Sequence, residues 1–227
     1  MTHSHRQQTP ISAKAILFDL DGTLVDTAPD FIRILNQQRE QHKLPPLAAK
    51  LIRDTVSDGA RALTKLAFGG EPGEIEFEIK RNELLELYAQ CVGDEARLFE
   101  GMEQSLQFFE QHEIPWGIVT NKPKRFTDIL LKKLSLTTRC AVSLCPDDVS
   151  KAKPDPESLF LACERLACSP ADAIYVGDHE RDIIAGKAAG MKTIAVSYGY
   201  IMNPDAIPDW SADYLIDHCS ELISLFR

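Results

Sequence analysis

The chain has 227 residues, and 34 Asp+Glu against 25 Lys+Arg leave it a formal charge of -9 at pH 7. That length holds one large domain, or one domain with a smaller insertion, and an apolar content of 44% is enough for a buried globular core. The acidic balance and the lack of a dense Lys/Arg cluster argue against a nucleic-acid partner, and no apolar run approaches the roughly 18 to 20 residues of a membrane span.

Residues 1–12 are expected to be a disordered leader, because the first ten are polar and contain no hydrophobic segment of the kind a secretory signal needs. A short apolar run at 14–18 then ends in acids and a glycine. Similar runs recur at 116–120, 141–145, 173–176 and 193–197, with a weaker one at 214–216. Each is brief, β-branched and nearly continuous in apolar character, as expected of strands buried on both faces. Helical patterns at 101–111, 124–134, 156–166 and 181–189 lie between them, which predicts a parallel sheet with helices on both sides.

Residues 28–98 break this rhythm. They carry amphipathic stretches at 31–42, 60–68 and 75–91, no convincing strand, and turn signals at 43–46 (KLPP) and 69–73 (GGEPG). The predicted fold is therefore α/β: a Rossmann-like parallel sheet core over 13–27 and 99–227, with an inserted small α-helical domain over 28–98. The segment 53–61 is read as a loop joining two of the inserted helices. The six cysteines include no CxxC pair, and no histidine completes a zinc pattern around them, so reduced thiols in a cytoplasmic protein are expected.

The chemistry is concentrated where the first strand ends, at Asp19-Leu20-Asp21-Gly22-Thr23-Leu24-Val25-Asp26. Open α/β sheets bind ligands at the carboxyl ends of their strands. Two carboxylates one residue apart, followed by glycine, suit Mg2+, and a carboxylate can attack phosphorus to form an aspartyl-phosphate. Three further motifs follow in order: Val119-Thr120-Asn121-Lys122-Pro123, Lys153-Pro154-Asp155-Pro156, and Gly177-Asp178-His179-Glu180-Arg181-Asp182.

Together these motifs resemble the haloacid dehalogenase-like superfamily over nearly the whole chain from residue 13. Within it, the chain is similar to the phosphoglycolate phosphatase group. The stretch LPPL…KLIRDTVSDGARA resembles bacterial N-acetylmuramic acid 6-phosphate phosphatases. The resemblance implies a Mg2+-dependent phosphatase acting on a small phosphorylated metabolite, with the helical insertion closing over the site as a cap. Asp19 would be nucleophile and metal ligand. Asp21 would ligate through its carbonyl and act as acid and then base, a dual role that requires its proton when substrate binds. Thr120, the Asn121 backbone N–H and Lys153 would hold the phosphoryl oxygens. Asp178 would complete the metal shell, and Asp182 would hold a metal-bound water.

Lys122 and Lys151 are candidate auxiliary cations, Asp26 an anchor for the turn, and His179 a solvated loop residue. Arg53 or Arg61 could read a second anionic group on the substrate, since arginine meets carboxylates bidentately. The choice between phosphoglycolate and N-acetylmuramic acid 6-phosphate stays open at this level, as does that between monomer and homodimer. A sugar phosphomutase shares the motifs. A dehalogenase proper would lack Asp21 and Asp178, and a phosphate-sensing module would have lost catalytic residues that are all present here.

Overall fold

The chain runs β1 (Ala15–Phe18), β2 (Val25–Asp26), α1 (Ala28–Gln41), α2 (Ala49–Thr55), α3 (Gly59–Phe68), α4 (Ile75–Cys91), β3 (Arg97–Leu98), α5 (Met102–Gln111), β4 (Trp116–Val119), α6 (Lys124–Lys133), β5 (Val142–Leu144), α7 (Glu157–Arg165), β6 (Ala173–Gly177), α8 (Glu180–Ala188), β7 (Lys192–Val196), β8 (Tyr214–Ile216) and α9 (Glu221–Leu225). The structure, a computed structural model, describes residues 11–226. The leader expected over 1–12 lies outside them except for its inner end. There Ile11 is buried and donates its N–H to the Leu225 carbonyl (2.7 Å), so residue 11 is part of the packed fold.

Six strands form one all-parallel sheet in the order β5-β4-β1-β6-β7-β8. Strand β1 is central and buried throughout, and its side chains alternate between the two faces. Ile16 and Phe18 join Ile118 and Val176 in one apolar layer, covered by α5, α6 and α9; Ala15 and Leu17 join Val119 and Tyr175 in the other, covered by α7 and α8. Two buried faces explain why these strands read as continuous apolar runs. No helix among the described residues is long and apolar enough to cross a membrane.

Helices α1 to α4 form the insertion. Antiparallel pairing of β2 with β3 (Val25 with Leu98, Asp26 with Arg97) brings its two ends together. α1 buries Phe31, Ile34, Leu35 and Gln38, the i, i+3, i+4, i+7 stripe of an amphipathic helix, and Phe31 stacks on Tyr88 of α4 at 4.3 Å. The buried Asp30 carboxylate accepts the N–H groups of Gly93 and Glu95 (2.9 Å each), tying the start of α1 to the exit of α4. The segment 53–61 is not a loop. α2 runs to Thr55 and a 3-10 turn covers Val56–Asp58; Gly59, at φ +81°, then opens α3.

Candidate active site

The sheet order places β1 between β4 and β6, which the chain reaches in opposite directions, and this is where open α/β sheets form a ligand crevice. Asp19 leaves the end of β1, with its N–H bonded to the Val176 carbonyl (2.9 Å). Thr120 leaves β4, Asp178 follows β6, and Lys153 comes from the loop between β5 and α7. A cavity of about 470 Å3 lies above these strand ends. Asp19, Asp21, Thr120, Asn121, Lys122 and Lys153 line it on the sheet side, and Val56, Ser57, Arg61, Arg81, Leu85 and Tyr88 on the insertion side.

Lys153 is the buried hub. Its Nζ has four acceptors within hydrogen-bond distance for its three N–H groups: Asp19 Oδ1 (2.8 Å), Asp182 Oδ1 (2.8 Å), the Val119 carbonyl (2.9 Å) and the Tyr175 hydroxyl (2.6 Å). Burial opposes its charge, but Asp182 and Asp19 outweigh burial and raise its pKa. Asp182 is held from its other oxygen by the His179 N–H (3.1 Å), at the start of α8. The Asn121 side chain brackets the Lys153 backbone, donating to its carbonyl (3.0 Å) and accepting its N–H (3.1 Å).

Carboxylate oxygens of Asp19, Asp178 and Asp182 come within 4.8 Å of one another, and all three residues are buried. Burial raises the Asp19 carboxyl, with Lys153 working against it. Burial, reinforced by Asp19 and Asp182, pushes Asp178 up to about 8. This cluster is short of positive charge, and its hard oxygen donors fit a divalent cation such as Mg2+. Asp178 accepts Thr23 Oγ1 (3.0 Å), the Tyr200 N–H (2.9 Å) and Ser57 Oγ (2.8 Å), the last from the insertion. Only glycine fits at position 22, where φ is +81° and a Cβ would lie 2.2 Å from Asp178 Oδ2.

Asp21 is held by a cation and a hydroxyl. Lys122 Nζ reaches both its oxygens (3.0 and 3.2 Å) and Thr27 Oγ1 donates to it. The Lys122 ammonium lies over the rings of Tyr88 (4.6 Å) and Phe31 (5.3 Å), a desolvated cation–π setting. Lys122 therefore joins the second acid to α1 and α4. Lys151 is exposed, pairs loosely with Asp155 (3.8 Å), and does not line the cavity.

Arg53 and Arg61 part company. Arg53 Nη1 grips both oxygens of Asp26 (3.0 and 3.1 Å) and its guanidinium lies 5.1 Å from the Tyr200 ring centre. It is absent from the cavity lining, so it holds the joint of the insertion instead of facing a ligand. Tyr200 completes that joint, accepting the Thr27 and Ala28 N–H groups and donating to Asp26 (2.9 Å). Arg61 does line the cavity. His179 is not a free loop residue: its Nε2 contacts Asp58 of the insertion (3.2 Å), which Arg181 also bonds (3.2 Å). Tyr175 and Arg81 lie outside the quoted motifs, and Ser57 and Arg181, though inside quoted stretches, were given no role, since only the packing of distant segments shows what they touch.

Residues 16–196 match the model of the haloacid dehalogenase-like hydrolases. The chain belongs to that family. It is 45% identical over 212 residues, 93% of this chain and 94% of the other, to an N-acetylmuramic acid 6-phosphate phosphatase of Pseudomonas aeruginosa. It is 39% identical to a phosphoglycolate phosphatase of Xanthomonas campestris pv. campestris, covering 92% of this chain and 94% of that one. A crystal structure titled as a predicted phosphoglycolate phosphatase from Haemophilus somnus superposes with a TM-score of 0.83 at 25% identity, over 95% of this chain and 98% of that one. This member of the haloacid dehalogenase-like hydrolases is a phosphoric monoester hydrolase.

Proposed function

We propose that the protein hydrolyses N-acetylmuramic acid 6-phosphate, or a phosphorylated amino-sugar acid of that size, through a phosphorylated Asp19. The observation that carries the substrate class is the cavity of about 470 Å3 between the strand ends and α1, α3 and α4. It falls within the roughly 300 to 1,000 Å3 of sites that enclose drug-sized ligands, far more room than a two-carbon phosphoglycolate fills. Its wall mixes apolar Val56, Leu85 and Tyr88 with arginines, which suits a sugar ring bearing charge. The higher identity to relatives named for the amino-sugar substrate agrees.

Asp19, Asp178 and the Asp21 carbonyl would hold Mg2+, which supplies charge neutralisation on the phosphoryl oxygens. Asp19 attacks phosphorus, forming an O–P bond as the bond to the sugar oxygen breaks, and Asp21 gives that oxygen a proton. Water then attacks phosphorus, Asp21 takes a proton back, and the Asp19 carboxylate is released. Thr120, the Asn121 N–H and Lys153 stabilise the phosphoryl charge, while Asp182 positions Lys153. Helices α1 to α4 act as a cap that excludes water. Six free thiols suit a reducing compartment such as the cytoplasm.

Side-by-side kinetics on N-acetylmuramic acid 6-phosphate, phosphoglycolate and a hexose phosphate test this reading. It predicts at least about tenfold higher kcat/KM for the amino-sugar acid, roughly 1.4 kcal/mol of differential transition-state binding. A preference for phosphoglycolate overturns it.

A further inference from the structure

Most cations around the cavity already have carboxylate partners. Lys153 is held by Asp19 and Asp182, Lys122 by Asp21, and Arg181 by Asp58. On the cap wall Arg81 too is paired, with Glu78, but only through one edge of its guanidinium, and Arg61 is not paired at all. Arg61, in the first turn of α3, has no hydrogen-bond or ion-pair partner among the described residues, although acids outnumber bases in this chain 34 to 25. Arg81, on the adjoining α4, bonds Glu78 through Nε (2.7 Å) and Asn82 through Nη2 (3.4 Å), leaving Nη1 without a partner. Both line the cavity with Lys153.

Arg61 is exposed at the rim of the cavity, where an unpaired guanidinium is a planar donor for a carboxylate. The phosphate end has its own cation in Lys153. We infer that Arg61, assisted by Arg81, binds a carboxylate that the substrate carries apart from its phosphate, and so selects acidic sugar phosphates over neutral ones. This rests on the phosphatase reading above and names what the cap recognises.

N-acetylmuramic acid 6-phosphate and N-acetylglucosamine 6-phosphate differ only in the acidic lactyl ether, so the ratio of their kcat/KM values isolates that group. Both are turned over by the same active molecules, and the ratio is therefore insensitive to the fraction of a variant that folds. The wild type should favour the acid, and Arg61→Gln should reduce that ratio about tenfold or more, the scale of a lost charge-assisted hydrogen bond. Arg81→Gln should reduce it by less, and Arg61→Lys should recover part of it. An unchanged ratio in both glutamine variants, or a wild type indifferent to the lactyl group, overturns the inference while leaving the phosphatase intact. A wild type that hydrolyses neither sugar phosphate overturns the substrate reading and this inference with it.

Discussion

Lys153 shows how far a motif reaches at the scale of single residues. Its place in Lys153-Pro154 marks it as a cation for the phosphate, but only the structure shows it buried between Asp19 and Asp182 with Tyr175 beside it. Removing it leaves two buried carboxylates without their counter-charge, a loss of about 3 to 5 kcal/mol in comparable pairs. Lys153→Met should lower stability in chelator by that order, measured by urea unfolding, and Mg2+ should restore part of it. A variant as stable as wild type in chelator would contradict the hub. Asp19, Asp21 and Thr120 were legible as candidates because their motifs fall at or just beyond strand ends, and the structure gathers all three on one cavity. Arg53 was named beside Arg61 because sequence cannot show that Asp26, 27 positions earlier, lies within 3.0 Å of it.

Asp30 and Arg53 carry the argument at the scale of elements. Burial raises the Asp30 carboxyl above its ordinary value of 3.8, against the two N–H groups and Arg33 that favour its charge. A raised folded-state pKa means its contribution is fully present below about 3.8 and wanes as pH rises through the raised value. The stability advantage of wild type over Asp30→Asn should therefore shrink as pH rises above about 3.8, by denaturant titration; a growing advantage would reverse the sign. Arg53→Ala removes a half-buried pair at the joint of the insertion. It should lower Tm by roughly 2 to 4 °C, the equivalent of about 1 kcal/mol in a chain of this size. It should also raise KM more than it lowers kcat.

The strand and helix periods made most elements legible, because five strands are nearly continuously apolar and α1, α3, α5 and α6 are amphipathic. The short α2 and the two-residue β2 and β3 were not. Segments of that length hold no full period, and the β2–β3 pair forms only because the chain returns after α4.

At the scale of the whole molecule, a chain of charge -9 handles an anionic ester by local means. Its net field does not draw in a phosphate, yet Lys122, Lys153, Arg61, Arg81 and Arg181 all border one cavity. The composition gave only the problem; the gathering of cations depends on strand order and on the insertion folding over the sheet. Because Asp19, Asp178 and Asp182 crowd negative charge, bound Mg2+ should stabilise the fold as well as switch on turnover. Saturation at a hundredfold over Kd corresponds to about 2.7 kcal/mol. Thermal unfolding should therefore fall by several degrees in chelator and recover when Mg2+ is returned.

The proposed covalent step would rest on Asp19, and a single-turnover reaction quenched in acid tests it most directly. Mass spectrometry of the digested protein should find one phosphoryl group on the peptide carrying Asp19, released by hydroxylamine and absent from a folded Asp19→Asn variant that has lost turnover. A phosphoryl group on another residue, or an Asp19→Asn variant that still hydrolyses substrate, would contradict the account.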